Sequence, residues 1–519
     1  MFRRVSLPIL SLIISVVCSA VEAQELRVFF GNLHSHTRYS DGSGLPTTAY
    51  KRAKQQAKLD FMAITEHNHK RCEGVLREED PRKDGIMIGK DHTLYKGPQP
   101  SALIPQANNW TEDGKFVALY GQEYSAISQG NHINVFDVPE VIDVENGKFD
   151  KLVREWLPAN KDTTGKLAVV QFNHPALFGN DAKEYGRDDF GSKAKWIKEM
   201  DEVVSLIEII NGPSTTKGAG VEPAEIMEAD YHQFLNLGFH ISPTADQDNH
   251  FYTWGTATHA RTGIIATSLT KTNILEAMRA RHTYATTDEN LRIIVHVNGH
   301  LTGDRLAPPP AGSALSIEIS LVDDDEPEAD YDIQVFSDII GGTKEAEVIE
   351  VFSIEGNPAA GEVYTLDDLQ YSGGKQYIFF KFIQYHEHGK PDIAWTAPIW
   401  FDAETGGSAA TDTGGVRIVK ILPNPAGDET QKESITLKNT SSNPVNLAGW
   451  TVEDLTGKQW KLEELGTITA GAEKTIQRSG KSMALNNSGD VVTLKNGQTE
   501  VQTVQYASTP EGQVVTIEP

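Results

Sequence analysis

The sequence has very little cysteine. Its 519 residues include two, Cys18 and Cys72, which excludes a domain stapled by several disulfides. If the segment that carries Cys18 is removed from the mature protein, Cys72 has no partner in the chain. Stability must then come from hydrophobic cores or from bound metal ions.

Long apolar runs are also scarce. The longest extends from Leu7 to Cys18 and falls short of the roughly 20 residues that a membrane-spanning helix needs, which argues against a polytopic membrane protein. The run follows Arg3 and Arg4 and leads to small residues before Gln24, an order typical of a cleaved secretory signal. We therefore expect a signal peptide over residues 1–23 and an exported, periplasmic or extracellular protein without a transmembrane segment.

Positive charge is in deficit. The 47 Lys and Arg residues stand against 72 Asp and Glu residues, a net charge of -25, which disfavours a protein that grips nucleic acids non-specifically. More than half of the excess lies in residues 291–402, with 6 basic and 20 acidic side chains. The acidic stretch 323–332 is most simply a solvated loop, with a calcium site as the alternative. The charge therefore says little about what the preceding region binds.

The remaining pattern indicates a multidomain chain, as expected from a length of 519 residues. Residues 24–290 alternate strand-like apolar runs with helical patterns, which is typical of an α/β barrel or a related parallel sheet. Residues 291–402 show alternating strands of a β-sandwich-like domain. Residues 403–415 lack large apolar side chains and are predicted to be a linker, and residues 416–519 form a second small β domain.

Histidine is concentrated in the α/β region, where 12 of the 16 histidines lie between His34 and His282. The segment NLHSHTRYSDG places His34 and His36 two residues apart at the end of a predicted strand, so both imidazoles can chelate one divalent ion. The next strand ends in TEHNH. His67 therefore lies at the same C-terminal edge, which carries catalysis in parallel barrels.

Four later segments also place a polar ligand after an apolar run. These ligands are Glu123 in GQE, His132 in NHINVF, His174 in QFNHP, and Asp248 with His250 in DQDNH. A buried carboxylate among imidazoles is costly unless it binds a metal, and Glu123 is suited to bridging two ions. Asp246 is an alternative to Asp248, although the D-x-H spacing favours Asp248. Each residue alone could be a cap or a core residue, whereas the set favours a metal centre.

In this order the motifs resemble the PHP superfamily of metal-dependent phosphoesterases over residues 27–290. The resemblance adds Asp41 of the SDG segment and implies a distorted (β/α)7 barrel with two or three Zn, Mn or Fe ions. Two departures are TEH, where TDH is commoner, and Asp41, where some members have His. The implied ligand sets are His34, His36, Glu123 and Asp248 for one metal, Glu123, His132 and His174 for a second, and Asp41, His67 and His250 for a third.

Together with the expected signal peptide, the resemblance implies a secreted phosphatase or phosphodiesterase that hydrolyses small phosphate esters, nucleotides among them. Two close divalent ions can polarise phosphoryl oxygens and lower the pKa of a bridging water, which supplies a hydroxide for in-line attack. Glu123 and Asp248 are the expected catalytic carboxylates. Arg261 in HARTG is the candidate for a bidentate phosphate contact, with an ordinary surface arginine as the alternative. Rival interpretations are an amidohydrolase, which also begins with HxH, and a non-catalytic, metal-stabilised extracellular binding protein.

The last domain, residues 416–519, resembles the lamin-tail domain, an immunoglobulin-like β-sandwich. The matching segments are VRIVKILPNPAGDE, ITLKN and NLAGWTVED, the last with Gly449 and Trp450. The resemblance implies that this domain attaches to a cell-surface or extracellular ligand. It contains no catalytic constellation.

Overall fold

The chain divides between residues 405 and 406 into two compact units in a computed structural model. The structure describes residues 25–68, 88, 91–124, 131–175, 184–214, 218–221, 225–342, 346–355, 363–366, 369–386, 389–403, 415–440, 445–454, 458–469, 471–497 and 499–517. The predicted signal peptide, Cys72 and residues 404–414 of the predicted linker lie outside these ranges. None of the described helices is long and apolar enough to cross a lipid bilayer.

Up to residue 290, strands alternate with helices as the sequence pattern predicts. The strands are β1 (Arg27–Asn32), β2 (Phe61–His67), β3 (Val117–Tyr124), β4 (Ile133–Phe136), β5 (Val170–Phe172), β6 (Val204–Asn211), β7 (Glu225–Ile226), β8 (Ser242–Ala245), β9 (Arg261–Ala266) and β10 (Thr283–Thr286). The helices are α1 (Pro46–Gln55), α2 (Thr93–Lys96), α3 (Leu103–Trp110), α4 (Phe149–Lys151), a π-helical turn (Leu152–Trp156), α5 (Leu157–Ala159), a 3-10 segment (Glu184–Phe190), α6 (Lys193–Asp201), α7 (Glu228–Leu237) and α8 (Lys271–Arg279).

Local chemistry explains the ends of these helices. Proline occupies the first position of α1, where its missing N–H costs no hydrogen bond. The Thr270 side chain accepts a hydrogen bond from the backbone N–H of Asn273 and caps α8. Helix α7 ends at Gly238, whose φ of 102° is favourable for glycine. The ends of these three helices therefore follow from local side-chain and backbone chemistry.

The strands of this region belong to one sheet in the order β9, β1, β2, β3, β4, β5, β6, with β7 and β8 both paired to β6. Neighbours β1 and β2, β2 and β3, β5 and β6, and β6 and β8 are parallel, whereas β4 and β9 are antiparallel to the strands beside them. In the described residues no backbone ladder joins β8 to β9. Instead Thr262 Oγ1 accepts from the N–H of Ala245 at 2.9 Å and donates to its carbonyl at 3.1 Å. The closed (β/α)7 barrel therefore stays a prediction.

Residues 291–402 form strands, as predicted. They are β11 (Arg292–Val297), β12 (His300–Leu301), β13 (Arg305–Leu306), β14 (Ile317–Val322), β15 (Asp330–Ile339), β16 (Glu347–Ile354), β17 (Val363–Leu366), β18 (Gln376–Tyr385), β19 (Asp392–Thr396) and β20 (Ile399–Phe401). Strands β12, β11, β14 and β17 make a separate four-stranded sheet.

The other strands of this region continue the sheet of the preceding one. Strand β19 pairs antiparallel with β10, with Tyr284 opposite Thr396. One buried cluster combines Tyr231 and Phe234 of α7 with Phe379 and Trp395. Residues 24–290 and 291–402, which the sequence pattern separates at residue 290, therefore share a sheet and a core within one compact unit.

The C-terminal unit is built from short antiparallel strands around its own core. Its elements are β21 (Val416–Leu422), α9 (Glu429–Lys432), β22 (Ser434–Asn439), β23 (Val445–Asn446), β24 (Trp450–Asp454), β25 (Gln459–Lys461), a 3-10 turn (Glu463–Leu465), β26 (Thr467–Ile468), β27 (Glu473–Gln477), β28 (Gly489–Asn496), β29 (Thr499–Ala507) and β30 (Val515–Thr516). Two four-stranded sheets, β27-β22-β21-β30 and β25-β24-β28-β29, enclose a core that includes Ile418, Leu437 and Trp460. The sequence pattern does not predict the one-turn helix α9, which Asp428 caps.

Candidate metal centre

Nine sequence-predicted ligands meet at the ends of neighbouring strands. His34 and His36 follow β1, His67 is the last residue of β2, and Glu123 lies opposite it in β3. His132 precedes β4, which runs antiparallel to β3, so its start lies at the same edge. His174 follows β5, Asp248 and His250 follow β8, and Asp41 lies in the loop between β1 and α1. Parallel strands with their carboxyl ends at one edge explain why distant segments converge.

The first ligand group contains His34, His36, Glu123 and Asp248, whose ligand atoms all lie within 4.8 Å of one another. The Nε2 atoms of His34 and His36 are 3.2 Å apart. Asp248 Oδ1 is 3.2 Å from the first and 2.9 Å from the second. This is the set that the resemblance assigns to one metal.

Glu123 also belongs to a second group. Its Oε2 lies 2.9 Å from His67 Nδ1, and its Oε1 lies 2.7 Å from His132 Nδ1 and 3.2 Å from His174 Nε2. The resemblance assigns Glu123, His132 and His174 to the second metal. The structure instead groups Glu123 and His132 with His67, and His174 approaches Glu123 without joining that group. Glu123 thus contacts His34 and His36 of the first group through Oε2 and His132 of the second group through Oε1.

The third group comprises Asp41, His67, His250 and also His36. Asp41 Oδ1 is 3.1 Å from His250 Nε2 and 3.6 Å from His67 Nε2. The rings of His36 and His250 lie 4.3 Å apart. His36 therefore adjoins two of the three groups, whereas the sequence prediction assigned it to one.

The donor set fits divalent metal ions. It consists of imidazole nitrogens and carboxylate oxygens, which suit Zn, Mn or Fe. His132 Nε2 is buried and has no hydrogen-bond partner among the described residues, which is costly unless another group binds it. The side chains of His34, His36 and Glu123 are at most 1 % exposed, whereas that of Asp248 is 14 % exposed. These buried clusters are compatible with metal binding and open to solvent on the Asp248 side.

Electrostatics favour ligand-ready protonation states at two positions. Burial opposes ionisation of Glu123, yet the charges of His132, His34 and His67 hold its pKa well below the ordinary value. Burial lowers the pKa of His132 to about 4, which outweighs the nearby Glu123. His132 is charged only below about pH 4, where its charge opposes protonation of Glu123. Near pH 7 Glu123 is therefore an anion and His132 a neutral imidazole, the forms that bind metals.

A second layer of carboxylates, which the sequence prediction missed, holds the ligands in place. Glu208 Oε1 is 2.7 Å from His34 Nδ1, and Glu208 Oε2 accepts from the backbone N–H of His174 at 2.6 Å and from Asn211 at 2.8 Å. Its side chain is fully buried in β6. The signal in the sequence was a carboxylate in the middle of the apolar run VSLIEIIN, since an acidic residue is rarely buried without a partner.

Glu66 plays the same part for His36. It accepts hydrogen bonds from the backbone and hydroxyl of Thr37 and from the hydroxyl of Ser40, and Ser40 Oγ lies 3.3 Å from His36 Nδ1. Burial raises the pKa of Glu66 to about 7. Glu66, the glutamate of the TEH motif, therefore supports His36 from the second layer through Thr37 and Ser40.

Asp246 also lies in the second layer. Its carboxylate accepts from the backbone N–H of Leu33 at 2.6 Å and from Gln171 at 3.1 Å. Asp248, by contrast, contacts the two N-terminal histidines directly. Of the two aspartates in ADQDNH, the structure brings Asp248 into the ligand layer.

Two of the predicted ligands have strained backbones. The φ angle is 32° at His174 and 46° at Asp248, values that residues other than glycine rarely adopt and that cluster at functional sites. Glu208 bonds the N–H of His174, which helps to hold this conformation.

The structure does not bring Arg261 to the cluster. Its buried guanidinium donates to the carbonyls of Thr258 and Ala260 at 2.9 Å and to Glu289 at 3.0 Å. These partners lie outside the three ligand groups. The side chain is also not the ordinary surface arginine of the alternative interpretation, because it is 3 % exposed.

Comparison with known proteins identifies the C-terminal unit. Residues 409–508 match the family model of the Lamin Tail Domain. This match confirms the prediction of an immunoglobulin-like lamin-tail domain at this end of the chain. No curated protein matches the chain. Among solved structures, the chain is similar to a two-domain protein from Bacteroides vulgatus that contains a predicted PHP-like metal-dependent phosphoesterase. The identity is 15 %, the TM-score is 0.37, and the match covers 68 % of this chain and 90 % of the other.

Proposed function

We propose that this chain is a metal-dependent hydrolase of phosphate esters that holds two or three divalent ions, Zn, Mn or Fe. The observation that supports this proposal best is the position of Glu123, whose two oxygens each approach histidines of different ligand groups. A carboxylate shared in this way can keep two ions close together, as two-metal hydrolysis requires.

The candidate ligands fall into three sets according to their positions. His34, His36 and Asp248 would hold one ion, His132 and His174 a second, and Glu123 would bridge them. Asp41, His67 and His250 would hold a third.

Glu208 and Glu66 keep the rings of His34 and His36 oriented through their Nδ1 atoms. Nε2 of each ring therefore points to the ions. The solvent-exposed part of Asp248 marks the side from which a substrate would enter.

When bound, the ions would supply a Lewis acid for the phosphoryl oxygens and an acidified water as nucleophile. The chain's own contribution is a rigid, buried cage with a single shared carboxylate. Attack by an acidified water needs no nucleophile from the chain itself.

The test combines metal analysis with hydrolysis of p-nitrophenyl phosphate and bis(p-nitrophenyl) phosphate. We expect the purified full chain to contain more than one divalent ion per molecule and to hydrolyse at least one ester, with the activity lost in a chelator. His132→Ala should lose most of the activity. The matched control His300→Ala removes a histidine that is 46 % exposed in β12 and should retain it.

Three other results would contradict the proposal. Hydrolysis of amide or lactone substrates with neither phosphate ester cleaved would favour an amidohydrolase. Metal-loaded protein that hydrolyses none of these compounds would favour a binding protein. Equal activities of the His132 and His300 variants would show that the reaction occurs elsewhere.

We also propose that the chain is exported and that its lamin-tail domain attaches to a cell-surface or extracellular ligand. The support for export is the N-terminal sequence, with its paired arginines, short apolar run and small residues before Gln24. N-terminal sequencing of protein recovered outside the cytoplasm should begin at Gln24. A chain that keeps its first 23 residues would contradict export by this route.

A further inference from the structure

A second group of cation ligands lies away from the histidines. Asp288 follows β10, whereas Asp323 and Glu326 follow β14, and oxygen atoms of the three carboxylates lie within 4.8 Å of one another. Calcium binds oxygens at about 2.3–2.6 Å, so ligands on opposite sides of one ion are at most about 5 Å apart. The three carboxylates are therefore close enough to share a cation.

The strongest pointer to a ligand is Gln384 in β18. This residue is fully buried, and its Nε2 donates to Asp323 Oδ2 at 2.7 Å, so the amide faces the carboxylates. Its Oε1 is buried and has no hydrogen-bond partner in the part of the chain that the structure describes. A half-turn of the amide would place this oxygen beside the Asp323 carboxylate, an arrangement that a shared cation stabilises.

A second buried polar atom lies on the same face of the sheet. Tyr331 in β15 is directly opposite Gln384 in the antiparallel ladder, and its hydroxyl is buried without a hydrogen-bond partner among the described residues. In an antiparallel pair, directly opposed side chains project from one face. An amide oxygen and a hydroxyl therefore add to the local excess of oxygen ligands.

Acidic side chains outnumber basic ones in this region, although Lys390 lines the same pocket. Within the described ranges, neither Asp288 nor Glu326 forms an ion pair with lysine or arginine. Both residues also line an open pocket together with Asp392, which gives a hydrated ion a route of entry. Like charges this close repel one another unless a cation or a proton lies between them.

We propose that Asp288, Asp323, Glu326 and Gln384 form a calcium site, separate from the histidine centre. The ligands are all oxygens, which suits a hard cation and disfavours Zn. The site joins the turn after β10 to the loop after β14 and to β18. Calcium bound there would tie together the sequence regions before and after residue 290.

The test is thermal unfolding of the chelator-treated full chain, titrated with calcium chloride and separately with magnesium chloride. We expect calcium to raise the unfolding midpoint and magnesium to raise it less. In Glu326→Gln, the calcium concentration for half of the shift should rise about tenfold or more, because affinity falls with the charge count of the ligands. Asp323→Asn, which keeps an oxygen for the turn amides, should behave alike.

Two controls separate this site from other effects. Asp324→Asn removes an equal charge from the same loop at a side chain that is 66 % exposed and should respond as the wild type does. His132→Ala disables the histidine centre and should keep the calcium shift. Equal calcium responses in Glu326→Gln and Asp324→Asn, or no response in the wild type, would overturn the proposal, and loss of the shift only in His132→Ala would assign it to the histidine centre.

Discussion

Replacement of Glu208 by glutamine tests how the second layer prepares the metal ligands. Glu208 Oε1 is 2.7 Å from His34 Nδ1, so the carboxylate holds the proton on Nδ1 and leaves Nε2 free to bind a metal. Its other oxygen accepts from the backbone N–H of His174 and from Asn211. A glutamine of the same shape can keep an oxygen on one side only.

The consequence for His34 follows from the donors. The amide oxygen is best kept facing the two N–H donors from His174 and Asn211, which turns the amide NH2 towards His34 Nδ1. The proton of His34 then moves to Nε2, the nitrogen that lies 3.2 Å from His36 Nε2 inside the first ligand group. Loss of such an orienting partner weakens metal binding about 10- to 100-fold, or roughly 1.4 to 2.7 kcal/mol.

The assay is calorimetric titration of the metal-free full chain with Zn²⁺ or Mn²⁺. Glu202→Gln is the matched control. Glu202 is exposed and lies just before β6, and its replacement by glutamine is the same chemical change. Unfolding of the metal-free Glu208→Gln protein separates a weakened site from a damaged fold. A metal affinity within about twofold of the control would refute this role of Glu208, since a second-layer carboxylate should cost at least about tenfold.

Three further predictions concern the unit that contains the candidate metal centre. His240 lies between Asp201 and Asp402, at 2.7 and 2.9 Å; burial lowers its pKa, but the two carboxylates raise it above the ordinary value. Its charged form therefore stabilises the fold below about pH 6.5, and this contribution is lost as the pH rises through the raised pKa. In urea unfolding, His240→Gln should lose more free energy of unfolding, relative to the wild type, at about pH 6 than at about pH 9. Equal losses at the two pH values would contradict this. Phe379→Ala should cost about 3–5 kcal/mol in urea unfolding because the ring is fully buried and stacks on Phe336 at 4.9 Å, with Phe379→Leu as the milder control, and a loss under about 1 kcal/mol would argue against this packing. Removal of metal by a chelator should lower the thermal midpoint of the wild type, and an unchanged midpoint would mean that the ligands hold no ion in the folded protein.

Most of the ligand layer could be predicted from the sequence because its members follow a simple rule, whereas Asp41 was added only by the resemblance to the PHP superfamily. His34, His67 and Glu123 come at the ends of apolar runs, and the ends of neighbouring parallel strands meet. No knowledge of distant contacts is needed for that inference. Position along a strand is therefore enough to gather the ligands, although not to say which ions they bind.

The second layer and the strand pairing could not be predicted in this way. The partner of Glu208 depends on which strand lies beside β6, and the pairing of Tyr284 with Thr396 joins residues more than 100 positions apart. Arg261 follows the last ligand closely in sequence, yet its side chain is held by Glu289. Local patterns specify strands and their faces, whereas these contacts depend on the arrangement of the whole sheet.

The pairing of β10 with β19 has a consequence for how the chain folds. A chain ending at residue 290 would present the backbone groups of Thr283–Thr286 as an unpaired sheet edge and would uncover Tyr231 and Phe234. Exposed edges and apolar faces of this kind promote aggregation. Residues 24–290 are therefore not expected to fold on their own, and any ion that binds at the histidine rim would also stabilise the downstream strands that share its sheet.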